Sequence, residues 1–124
     1  MARIRIEDGH LVVAMERVGE MLMALRSEVR LSLAHVRGVR ANPPELFEEA
    51  FIARVFGASL SETHIGYFWK KGEGLVFIDI EHLHGVNKIV AVDLIDERLK
   101  HLYVEPSDET ADEAVARLAP FVAR

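Results

Sequence analysis

Apolar and polar residues alternate with period two along most of this chain, and a helical period interrupts them. Ile4 and Ile6 share one side of a first strand. Glu7-Asp8-Gly9 is a turn and residues 11–14 return as a buried partner, so the chain opens with a hairpin. Met15, Val18, Leu22 and Leu25 then fall three, four and three apart, one face of a helix of about three turns. Met23 lies off that stripe. Val29-Arg30-Leu31-Ser32-Leu33 alternates again, and after a bend at Ala34-His35 the period resumes over residues 36–40. Asn42-Pro43-Pro44-Glu45 has the residue types of a helix start. Leu46, Phe47, Ala50 and Val55 predict a short helix ended by Gly57, with a loop over residues 58–62.

Beyond Thr63 the period-two segments become regular. Residues 64–69, 75–80, 89–94 and 99–104 read as strands, joined by turns at 70–74, 84–88 and 96–98. Pro106 closes the sheet, because proline has no N–H to donate to a central ladder. Thr110 and Glu113 have the spacing of a capping box, and Ala111, Ala114, Val115 and Leu118 give the last helix its apolar face until Pro120 ends or kinks it. Consecutive strands closed by one terminal helix predict an α+β, mainly β, domain over residues 1–124. Its antiparallel sheet is strongly bent, with a short helix after the first hairpin and the C-terminal helix capping the open side.

The order of these elements resembles that of small, mostly uncharacterised bacterial proteins of pleckstrin-homology-like (PH-like) fold. The residues carrying the likeness are Asp8-Gly9-His10-Leu11-Val12-Val13 ahead of a short helix, the run from Val29 to Val39, Gly66 in a strand, Phe77, the apolar strand over 89–94, and Val104 leading into the helix. The resemblance implies a partly open barrel of roughly seven strands plugged by the C-terminal helix, and it implies no catalytic residues. Where such proteins often have a Pro-Gly-rich loop, residues 43–56 read as helical here.

Composition narrows the function classes. The chain has 124 residues and no cysteine, which removes disulfides, thiol nucleophiles and thiolate metal sites. Fifteen lysines and arginines against twenty acidic residues give a net charge of −5, the wrong sign for a general nucleic-acid or anionic-membrane binder. No apolar run approaches the ~20 residues of a membrane span, and the first residues alternate charged and apolar rather than forming a signal peptide. A soluble, cytoplasmic protein is expected.

Candidate chemistry is sparse. On a strand, His82 and His84 of Glu81-His82-Leu83-His84 would share a face about 7 Å apart, close enough to bind one metal ion. His64 or His101 could complete the set, with Asp79 or Glu81 joining if a bulge re-aimed it. The plainer reading is a pair of solvated or hydrogen-bonded strand-end histidines. A phosphoinositide site is not expected, because the first hairpin carries Glu7-Asp8-Gly9 and Arg26, Arg30, Arg37, Arg40, Lys70 and Lys71 are dispersed. Serines lack a nucleophile-elbow context, and there is no phosphate-binding loop. Tyr67-Phe68-Trp69 must point alternately to two faces, which favours core packing over base stacking. With half the residues hydrophobic, the reading is a non-enzymatic module that binds a protein partner or forms a homo-oligomer and needs no cofactor. A small-molecule or metal binder using the His82/His84 face is the alternative.

Overall fold

A computed structural model of the chain describes residues 1–47, 52–60 and 62–122. Strands β1 (Ala2–Glu7) and β2 (His10–Met15) form the opening hairpin, its two-residue loop made by Asp8 at φ 48° and Gly9 at φ 73°. Positive φ at both positions matches the right-handed twist of the flanking strands. Helix α1 (Val18–Ala24) follows, then β3 (Glu28–Ser32), which pairs with β2 to complete a three-stranded antiparallel sheet. The bend at Ala34-His35 is a 3₁₀ turn, Leu33–His35, with the Ser32 hydroxyl accepting from the Ala34 amide at 3.3 Å.

The second sheet holds six strands in the order β4-β8-β9-β7-β6-β5. They are β4 (Val36–Ala41), β5 (Ile52–Leu60), β6 (Thr63–Lys70), β7 (Gly74–Ile80), β8 (Val90–Leu94) and β9 (His101–Val104). Helix α2 (Ala111–Leu118) closes the chain with both halves of the expected capping box, and Pro120 turns its end into a 3₁₀ turn. Among the described residues, two sheets and two helices make an α+β, mainly β, architecture without a closed barrel.

Three expectations are corrected. The second-half strands do not form a consecutive antiparallel meander: β9 inserts between β7 and β8 and runs parallel to β7, with Phe77 opposite Leu102. Leu102, Tyr103 and Val104 are buried without alternation, as a central strand covered on both faces requires. The connection from Ile80 to Val90 is long enough to step over that strand, and the buried Glu105 pins its start. One Glu105 oxygen accepts from the Glu81 and His82 amides at 2.9 and 2.7 Å.

Secondly, residues 52–60, read as the end of a helix and a loop, are strand β5. Of the expected helix, the described residues show only the 3₁₀ turn Pro44–Phe47, and residues 48–51 lie outside the description. Gly57 is not a helix cap. It faces Gly66 across the β5–β6 ladder at φ 138°, where a Cβ would overlap the Ile65 carbonyl oxygen and lie 2.8 Å from the Gly66 Cα. Two glycines allow the backbones to approach there.

Thirdly, α1 has seven residues rather than three turns, and its apolar residues point outward. Glu20 and Ala24 are buried and Met21 is half-buried, whereas Val18, Leu22 and Leu25 are 70%, 62% and 67% exposed. Met15 belongs to β2 and is buried there.

The main core lies between the two sheets. Ile4, Leu11, Val13, Val29 and Leu31 of the small sheet meet Phe77, Val90, Val92, Leu102 and Val104 of the large one, with Ala111, Ala114 and Leu118 of α2 at the margin. A second cluster occupies the opposite face of the large sheet, where Phe68, Val76, Ile78, Ile80, Ala91 and Tyr103 pack with Leu46 and Leu83. Because β4 and β5 are the two edges of one sheet, the chain between them must travel about 24 Å across it. Its first turn, Pro44–Phe47, lies over that second face.

Candidate functional site

Two central strands interrupt their apolar runs at the same level of the sheet. Asp93 follows Val90-Ala91-Val92 on β8, His101 precedes Leu102-Tyr103-Val104 on β9, and the two are register partners. Alternation sends both to the second face, since their neighbours Val92 and Leu102 fill the main core. Arg40 arrives from β4 and Glu45 from the crossing turn. Lys70 ends β6 and Glu73 sits in the β6–β7 turn.

These side chains form one continuous ionic network. The Arg40 guanidinium donates to Asp93 at 2.7 and 2.9 Å and to Glu45 at 3.0 and 2.6 Å, serving two carboxylates at once. His101 places Nδ1 2.7 Å from Asp93 Oδ1 and Nε2 3.1 Å from Glu73 Oε1. Its ring stacks on Tyr103 at 5.6 Å, and the Tyr103 hydroxyl donates to Glu45 Oε2 at 2.9 Å. Lys70 pairs with Glu73 and lies 4.0 Å from Glu45.

The protonation states follow from these contacts. Hydrogen bonds from Arg40 hold the Glu45 carboxyl down at about 2. Burial acts to raise Asp93, but the His101 and Arg40 donors outweigh it and keep its carboxyl well below the usual range. Burial works against charge on His101, and Asp93 and Glu73 outweigh it, so the imidazole stays protonated to higher pH than an ordinary histidine. Burial, then the Glu45 carboxylate, push the Tyr103 hydroxyl far up, which leaves it a donor. A cleft of about 740 Å³ opens over the network and is lined also by Arg37, Gly38 and Lys100.

A second charged cluster lies on the opposite side of the large sheet. The Met1 ammonium sits 2.8 Å from Glu20 of α1, 3.2 Å from Asp79 of β7 and 3.3 Å from Glu81. Burial raises the Asp79 carboxyl well above the ordinary range, and the adjacent Glu20 adds to this while the ammonium opposes it.

His82 and His84 lie past the end of β7 rather than on a strand face. His82 Nδ1 is 2.8 Å from Glu105 Oε2, whereas the His84 ring packs against Phe47 at 5.7 Å. His64 sits edge-on to Phe68, and His101 is held in the network described above. Among the described residues, no three histidines or carboxylates are placed to hold a metal ion. Phe68 is buried and Tyr67 half-buried on opposite faces, while Trp69 is 54% exposed. The convergence of Arg40, Asp93 and His101 was missed in the sequence because the basic residues look scattered there. Its trace is a single polar residue in each of two otherwise apolar strands.

Comparison of the chain with protein-family models, with curated proteins and with solved structures returned no match. No helix of the described residues is long and apolar enough to cross a membrane.

Proposed function

We propose that the chain is a non-enzymatic assembly module that pairs with a second copy of itself through the outer face of α1. The observation that carries this reading is the exposure of three large apolar residues, Val18 and Leu22 one turn apart on α1 and Leu25 at its left-handed cap. Trp69 extends the same side of the molecule. It lies two residues beyond Tyr67 on one face of β6, and the Tyr67 hydroxyl donates to the Ala24 carbonyl at the end of α1. A stripe on a single helix is self-complementary under two-fold symmetry, because each copy presents the same ridge to the other. The mean hydropathy of +0.11 fits a chain that covers further apolar surface in an assembly, and the absence of cysteine fits a reducing cytoplasm. The reading takes nothing from PH-like proteins, whose bent antiparallel barrel differs from two sheets with a parallel β7–β9 pair.

Sedimentation at micromolar concentration tests it. The protein is expected at twice its 14.0 kDa chain mass. Leu22→Asp, at a position already exposed in the single chain, is expected to run as a monomer with unchanged circular dichroism. Trp69 is the single tryptophan, so its emission should shift to the blue as the dimer forms. A wild-type mass that stays at one chain, or a Leu22→Asp variant that assembles equally well, would refute the proposal.

A further inference from the structure

The cleft above the Arg40 network has cations to spare, and the reason lies in a defect of the ladder. On β4, Val36 pairs with Leu94 and Gly38 with Asp93, so one residue of β4 is extra at a bulge. That residue is Arg37. A bulge re-aims the side chain it inserts, and Arg37 lines the cleft. Among the described residues it has no hydrogen bond or ion pair. Beside it Gly38 leaves the floor bare: a Cβ there would meet nothing nearer than Asp93 Oδ2 at 3.9 Å. The Lys100 ammonium, which also lines the cleft, donates to the Glu97 carbonyl at 3.0 Å, a neutral acceptor that leaves its charge uncompensated.

The carboxylates of the cleft are already committed. Asp93 is held by Arg40 and His101, Glu73 by Lys70 and His101, and Glu45 by Arg40. Among the described residues, four fixed cations line the cleft against three carboxylates, and protonation of His101 makes the excess two. In a chain of net charge −5, this is a local reversal of sign. We propose that this cleft is a binding site for a small phosphate monoester, held by Arg37 and Lys100 beside the His101 ring.

Charge decides the ligand class. A phosphate monoester carries roughly −1.5 to −2 near neutral pH and presents three acceptor oxygens, matching an excess of two positive charges and the N–H donors of the Arg37 fork and the Lys100 ammonium. A monocarboxylate satisfies half of that. The guanidinium fork of Arg37 suits bidentate contact with a tetrahedral oxyanion. The cleft volume of about 740 Å³ suits a metabolite-sized molecule. The bidentate Arg40 bridges fix the floor before any ligand arrives, so little ordering remains to be done on binding.

The test titrates the full chain at low salt with phenyl phosphate, and separately with acetate, following the His101 imidazole resonances and the heat of binding. Phenyl phosphate should give a saturable shift at His101 that acetate does not reproduce. Arg37→Gln and Lys100→Gln should each weaken binding about tenfold, the loss of one charge-assisted contact. Both residues are exposed, so the variants are expected to keep the wild-type circular dichroism and melting profile. Vesicles of phosphatidylcholine with phosphatidic acid present the same monoester on a membrane and should not co-sediment the protein. The proposal is overturned by an absent or non-saturable response, by wild-type affinity in both variants, by equal binding of acetate, or by binding to vesicles alone.

Discussion

Asp79 is a fully buried carboxyl with Glu20 beside it, and its ionised form is the disfavoured one. A folded pKa raised above the unfolded value means that the folded state binds the extra proton. Stability is therefore lost as pH climbs from about 4, where an unfolded aspartate titrates, through the raised folded value. Asparagine has the shape of the protonated acid and does not titrate. Asp79→Asn should flatten this dependence and gain on the wild type by about 2 kcal/mol toward alkaline pH, less whatever the lost attraction to the Met1 ammonium costs. Urea denaturation at about pH 5 and about pH 9 measures the difference; parallel curves for the two proteins would exclude burial as the cause. Such long-range encounters are not written in local sequence. Residues 1 and 79 meet through tertiary packing, as do Arg40, Asp93 and His101. The histidines that sequence did single out, His82 and His84, engage Glu105 and Phe47 separately.

Elements whose partners are close in sequence were legible: the Asp8-Gly9 hairpin, the capped α2 and the strands from 63 to 80 all follow from turn chemistry and period. In α1 the helical period holds only for Val18 and Leu22, since Met15 ends β2 and Leu25 is the left-handed cap, and a stripe shows which residues share a face and not what that face meets. The inward side instead carries Glu20 and Ala24, one turn apart, with Tyr67 satisfying the last carbonyl. The proline and asparagine signals reach only as far as the 3₁₀ turn Pro44–Phe47, and Gly57 on β5 is a point of close strand approach rather than a stop. Gly57→Ala tests the structural reading. The added methyl overlaps backbone rather than a movable side chain, at a φ that L residues avoid. A loss of about 2–4 kcal/mol is expected, with faster amide exchange along β5 and β6. A stable variant with unchanged exchange would mean that the two backbones do not approach at Gly66.

At the scale of the molecule, the large sheet separates two environments. One face is buried against the small sheet and α2; the other carries an apolar cluster beside a charged cleft. The covered face leaves α1 at its margin with an apolar ridge outward, which is where a second copy would lie. If the native state is a dimer, its stability depends on protein concentration by mass action, since unfolding yields two chains. Each tenfold dilution then removes about 1.4 kcal/mol per dimer. With an unfolding entropy of roughly 2 cal/mol/K per residue over two chains, the melting midpoint should fall by about 2–3 °C per tenfold dilution. Leu22→Asp should melt at one temperature throughout, because a monomer has no such term. Scanning calorimetry or the emission of Trp69 reads both proteins over the same series. A wild-type midpoint independent of concentration would place the ridge of α1 in solvent.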